Sequence, residues 1–377
     1  MRKLTKLFTG GTTVLAAAVL VAATVTTGAS AAPNDPPKGI TPQAFDLVGV
    51  GSNTTQFVID QISTLYNATV KTHNKTHPWL FSWDAVKPGT ASNSVTNIVP
   101  KAGCTKIVRP NGSTAGLKAM IANAKDGKSG FFCIDFGRSS GARNPIAPPP
   151  GKNGVFYVEF AKDAITWATR SAGFGGSNAP ASLNKAQLVS IFTCKATNWD
   201  QVGGKPGKIQ VFLPQQGSGT LSTWEKFMGI DPNKVPSCIS QAPEENEGTF
   251  AGFKSANAVF IYSIGAYVAQ KFHSPLCGHL PKKGQNAFGC DTTGVLTLKE
   301  IGGRLPILGH STNLGFASSF FRTLYNIVRW SAATADHIDP RLNGIFGPKG
   351  FMCVNANAKV QIKNYGFIVD PTCGKTS

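Results

Sequence analysis

Short apolar runs, then small polar turns, then apolar residues at helical spacing recur along this chain. The clearest instance is 208–228. Its first part, KIQVFL, alternates apolar and polar positions with β-branched and aromatic residues, and Leu221, Trp224 and Met228 then share one helical face. Gly217-Ser218-Gly219-Thr220 is therefore expected to be a strand-to-helix turn. Glycine lets the backbone turn tightly, hydroxyls offer donors, and the first amides of a helix lack intrahelical partners. Such a turn is either an anion seat or an ordinary capped helix start.

The same grammar appears three more times. A strand at 46–50 leads through Ser52, Asn53 and Thr54 into a helix at 55–66, with Val58, Ile62 and Leu65 on its apolar face. A strand at 107–109 leads through Ser113 and Thr114 into a helix carrying Leu117, Met120 and Ile121. An apolar strand at 131–136 ends in the turn 137–141, which holds Arg138, Ser139 and Ser140. A proline-rich break at 145–150 follows, then strands at 156–160 and 165–169 and a capped helix at 181–192. Further on come an apolar strand and helix start at 258–267, a long helix at 316–332 and a strand-like 365–369. Alternating strands and helices predict an α/β protein, and the length predicts two lobes. Their expected limits are 45–152 with 311–377 for lobe 1, and 153–310 for lobe 2.

Composition changes the picture in two ways. Arg2, Lys3 and Lys6, the apolar stretch 14–25 and Ala29-Ser30-Ala31 read as an export signal over 1–31, with cleavage after Ala31 or Ala32 equally readable. Residues 32–44 read as a flexible lead. The first cysteine is Cys104, so none is placed at the cut to carry a lipid, and no other run reaches the ~18 apolar residues of a membrane span. The expected location is therefore secreted and extracellular. Taking the three signal cations from the 37 Lys and Arg leaves 34 against 19 Asp and Glu, or +15, so partners should be anionic. Phosphate, an anionic wall polymer, nucleic acid and a membrane surface all satisfy that condition. Basic residues are scattered, with no zinc finger, RNA-recognition signature or basic helix, which argues against nucleic acid.

Eight cysteines in an exported chain imply disulfides. Pairing neighbours in order closes the shortest loops and gives 104–133, 194–238, 277–290 and 353–373. No Cys-x-x-Cys occurs, so zinc is not expected, and His73 and His77 read as a solvated basic loop rather than metal ligands. Glu244, Glu245 and Glu247 form the one acidic cluster, read as a solvated loop. Nothing calls for a cofactor.

From about Asp46 to Cys373 the chain resembles the phosphate-binding, substrate-delivering proteins of ABC transporters, especially their secreted Gram-positive relatives. The markers are VGSNTT at 50–55, NGSTAG at 111–116, DFGRSS at 135–140, the 183–199 segment with Ile191, Phe192, Asn198 and Trp199, and GSGT at 217–220. The resemblance implies a two-lobed type II periplasmic-binding-protein fold with a ligand cleft between the lobes. It implies an anion held by backbone amides and hydroxyls at Asn53, Thr54, Ser113, Ser140, Ser218, Gly219 and Thr220. With Ser52, Thr114, Arg138 and Ser139 from the same turns, these make up the expected site. Two positions depart from the family pattern: Pro214 stands where an arginine is common, and Ser140 where an aspartate commonly accepts the proton of hydrogen phosphate. Arg138 or Arg109 is expected to supply the missing cation, Arg138 first.

The expected function is capture of a small oxyanion, phosphate foremost, by a monomer without catalysis, with an ABC permease or an anionic wall polymer as a further partner. A second expectation keeps the fold for wall binding or adhesion and loses the small ligand. A serine hydrolase through Ser218 or Ser140 ranks below both, because neither lies in Gly-x-Ser-x-Gly and no histidine has a catalytic context.

Overall fold

Ten strands, among the described residues, form the main sheet. They are β1 (Leu47–Gly51), β2 (Leu80–Ser82), β3 (Phe136–Ser139), β4 (Val155–Arg170) and β5 (Gln210–Phe212). Then come β6 (Ile239–Ser240), β7 (Ala258–Ser263), β8 (Leu296–Leu298), β9 (Phe321–Arg329) and β10 (Ile368–Val369). The sheet runs β2-β1-β3-β9-β4-β7-β5-β6, with β8 and β10 also pairing with β4. The computed structural model describes residues 35–36, 39–87, 94–123, 125, 130–273, 293–333 and 335–377.

The strand β4 ties the molecule together. Its first half puts Val158, Phe160 and Ala161 into a core with Leu47, Ile59, Phe136 and Leu324. Its second half puts Ala164, Ile165 and Trp167 into another with Leu188, Phe192, Val211, Trp224 and Ile261. One sheet thus serves two cores, and the fold is two-lobed α/β. The expected strands 156–160 and 165–169 are one continuous strand, held by β9 along its first half and by β7 along its second.

Helices α1 (Gln56–Asn67), α2 (Ser113–Ala122), α3 (Lys185–Phe192) and α4 (Gly219–Met228) stand where the apolar spacing puts them. Asn184 closes a capping box on α3, its side chain accepting from Gln187 N.

Two expectations are corrected. The long helix at 316–332 is instead the strand β9. Phe320, Leu324 and Ile327 fit helical spacing, but Arg322, Leu324 and Asn326 are buried in strict alternation, and β9 is laddered on one edge to β3 and on the other to β4. A strand paired on both edges satisfies its whole backbone. The strand expected at 131–136 is instead β3. Cys133 is tied to Cys104, and pairing with β1 begins only at Gly49 opposite Phe136. Polar Gly137, Arg138 and Ser139 are therefore central strand residues and not a surface turn.

Disulfides join Cys104 to Cys133, Cys194 to Cys238 and Cys353 to Cys373, as expected, and no free cysteine remains among the described residues. Cys277 and Cys290 lie outside the described residues. Each bond contributes on the order of 2–4 kcal/mol by restricting the unfolded chain. No helix among the described residues is long and apolar enough to cross a membrane. No metal-holding group of His, Cys, Asp and Glu occurs among them either. His73 packs flat on Trp79, 3.9 Å between ring centroids, with Nε2 2.6 Å from Asp46 Oδ1.

Candidate functional site

The four Gly/Ser/Thr turns meet. Thr114 N donates to Gly217 O at 3.1 Å, and Ser140 N donates to Ser113 Oγ at 3.1 Å, so turns from both cores touch. Glycine makes the approach possible at two points. Gly112 has φ +93°, and a Cβ there would meet Gly217 O at 2.5 Å. A Cβ on Gly219 would overlap both Ser113 Oγ and Ser140 Oγ.

At the meeting point stands a carboxylate from a fifth segment. Glu245 is fully buried, and its Oε1 accepts from Thr54 Oγ1 at 2.8 Å, from Thr220 N at 2.9 Å and, at a longer 3.4 Å, from Ser140 Oγ. Its Oε2 is equally buried and has no hydrogen-bond partner. The surrounding hydroxyls are polarised toward that one oxygen. Thr54 spends its proton on Glu245, so the 3.3 Å pair with Thr220 Oγ1 must have Thr220 as donor. In the same way Ser52 Oγ donates to Ser140 Oγ at 3.0 Å, and Ser140 passes the polarity on. Such chains strengthen each donor in turn.

The loop carrying Glu245 is held firmly. Glu245 N donates to Gln215 Oε1 at 2.8 Å, while Glu244 accepts from Gln215 Nε2 and, at 3.0 Å, from Asn111 Nδ2. Asn246 sits at φ 57° in the left-handed region, which Asn tolerates better than most residues. It pins the loop through Tyr262 Oη, 2.6 Å from its carbonyl, and Ser263 N, 3.2 Å from Oδ1. Its Nδ2 reaches Thr54 Oγ1 at 3.0 Å and Asn53 Oδ1 at 3.2 Å. The acidic cluster expected as a solvated loop is thus corrected for Glu244 and Glu245, both buried.

Of the expected site residues, Ser52, Asn53, Thr54, Ser113, Ser140, Gly219 and Thr220 come together here. The side chains of Thr114, Ser139 and Ser218 serve local structure instead. Thr114 Oγ1 accepts from Asn144 Nδ2 at 3.1 Å, Ser139 Oγ bonds within its own bend to Gly141 O at 3.1 Å, and Ser218 Oγ caps α4 by accepting from Leu221 N at 3.1 Å.

Arg138 lies behind the seat. Its guanidinium donates to Ser52 O at 3.2 Å, to Gly51 O at 3.3 Å and to Ser82 Oγ, and none of it is exposed. Its counter-charges are Asp60 and Asp84, which favour its charged form against a burial that lowers its pKa. Burial and the neighbouring carboxylates push Asp60 well above the usual range and Asp84 up to about 7. Arg109 is taken up by Asp35, with NH1 and NH2 at 2.6 and 2.8 Å from its two oxygens.

A third buried arginine escaped the sequence reading. Arg322 on β9 pairs with Asp163 Oδ2 at 2.7 Å and donates to Ser140 O at 2.8 Å. Arg138 and Arg322 therefore act on carbonyls of the turns and not on the seat itself. The signal that could have found Glu245 was an acidic cluster in a strongly basic chain.

A family model described as a PBP superfamily domain matches residues 64–279. Among solved structures, an ABC-type phosphate transport receptor from Vibrio cholerae matches with a TM-score of 0.50 and 18% identity, over 86% of this chain and 100% of that one. A protein described as a phosphate ABC transporter substrate-binding protein with bound phosphate, from Clostridium perfringens, matches with a TM-score of 0.50 and 13% identity, over 86% and 99%. At these identities the likeness is one of fold. Among curated proteins none matches.

Proposed function

The chain belongs to the PBP superfamily, and we propose that its role is solute binding: an exported protein that captures a small oxyanion, phosphate foremost, between its lobes and without catalysis. The observation that carries this reading is the convergence of Thr54 Oγ1, Thr220 N and Ser140 Oγ on a single anionic oxygen. Neutral hydroxyls and a helix-start amide, aimed by separate elements at one point, are the equipment for a small oxyanion. Arg138 on the carbonyls of Gly51 and Ser52, and Arg322 on that of Ser140, polarise the peptides of the turns, so positive charge is supplied from behind. The absence of catalysis fits the hydroxyls: Ser218 caps α4, and Ser140 is aimed at a carboxylate and not at an imidazole. Three disulfides and the basic balance fit an exported chain meeting anionic partners, an ABC permease or wall polymer among them.

Glu245 in the seat favours a second reading, in which small-ligand binding is lost and the fold serves wall binding. Calorimetric titration decides between them. Saturable binding of phosphate at one site per chain, reduced by Ser140→Ala, is the expected result; no heat from phosphate or sulfate, with retention on an anionic wall polymer, would establish the second reading.

A further inference from the structure

We propose that Glu245 is a built-in occupant of the seat, a carboxylate that shuts the cleft from within and must be displaced by any oxyanion that enters. The inference rests on the oxyanion reading of the seat. Three observations carry it. First, Oε1 takes the donors of Thr54, Thr220 and Ser140, which belong to three separate turns, so one side chain bridges both halves of the site. Second, Oε2 is buried and unpartnered beside it. A carboxylate that overfills one oxygen and starves the other is a poor match for its surroundings, as a stand-in for a differently shaped anion would be. Third, the backbone of the loop is pinned by Gln215 and Asn246, so exchange requires only rotation of the Glu245 side chain.

The electrostatics make this a competition. No arginine or lysine hydrogen-bonds Glu245 among the described residues, and the two guanidiniums behind the seat are engaged there, Arg138 on the carbonyls of Gly51 and Ser52 and Arg322 on Asp163 and the carbonyl of Ser140. A second anion beside the Glu245 carboxylate would meet like charge at contact distance in a dry site. Ligand and side chain therefore exclude each other, and the apparent affinity falls by the fraction of molecules whose seat is open. Glu245 then sets a threshold: weakly held anions fail to displace it, and those that exploit more donors succeed.

The test combines phosphate calorimetry with small-angle X-ray scattering on the full chain, for wild type, Glu245→Ala and the milder Glu245→Gln. Both variants are expected to bind inorganic phosphate about 10-fold more tightly or better. Glu245→Ala without phosphate is expected to show a larger radius of gyration than wild type, and to contract on adding it. Affinity equal to or weaker than that of wild type in both variants would overturn the proposal, and weaker binding would recast Glu245 as an acceptor for the ligand's proton. If no form binds phosphate, the oxyanion reading falls and scattering alone decides: expansion of the variants supports the internal latch, and unchanged dimensions refute it.

Discussion

Two buried charges stand on opposite sides of the same turn, and their company differs. In front of residues 51–54, Glu245 meets only neutral donors that come from separate turns. Behind it, Arg138 donates to carbonyls, and the nearby carboxyls of Asp60 and Asp84 favour its charge without a direct ion pair. A charge balanced by opposite charges is locked, since removing either side strands the other. A charge held by dipoles alone can be exchanged for another of the same sign. The front is thus where a ligand acts, and the back is structural.

The largest expected effect breaks the back. Arg138→Ala strips Gly51 O, Ser52 O and Ser82 Oγ of their buried charged donor and should cost about 3–5 kcal/mol of stability, read by urea unfolding at pH 7. A loss below about 1 kcal/mol would mean that Arg138 is not locked and is free to serve a ligand.

The pH dependence of the same cluster comes next. Asp84 rises from the ordinary 3.8 to about 7 through burial and the charge of Asp35, and burial with the charge of Asp84 raises Asp60 as well. The native state then holds protons that the unfolded chain has released, so stability falls as pH rises from about 4 to about 7. The fall should be on the order of 1–4 kcal/mol. Denaturant midpoints across that window, compared with those of Asp84→Asn, check it; the variant should flatten the slope, and an unchanged slope would place the titration elsewhere.

The smallest effect sharpens the front. Thr54→Val removes a bond from the seat whether Glu245 or phosphate fills it, so phosphate affinity should fall less than about 10-fold in the native background. In a Glu245→Ala background the same change should cost about 10- to 150-fold, the worth of one charge-assisted bond at about 1.5–3 kcal/mol. Equal losses in both backgrounds would contradict the exchange of one anion for another.

The turns were readable from sequence because their chemistry is local: Gly217 to Thr220 needs nothing beyond a strand before it and a helix after it. Readings failed where distant pairing decided. Residues 321–329 carry apolar positions compatible with either period, and the edges of β3 and β4 settle the matter. Arg138 reads as a turn residue because the apolar run stops at Phe136, yet β1 and β9 draw the polar continuation into the sheet. The acidic cluster marks Glu245 in the sequence, but its place in the seat is not local, its donors lying 191 and 105 positions away at Thr54 and Ser140.

The most direct test is a crystal structure of the chain grown with phosphate. The account predicts an anion hydrogen-bonded to Thr54 Oγ1, Ser140 Oγ and Thr220 N, with the Glu245 side chain rotated out of the seat and Arg138 still on the carbonyls of Gly51 and Ser52. An anion bound elsewhere, or one coordinated by Arg138 with Glu245 unmoved, would contradict it.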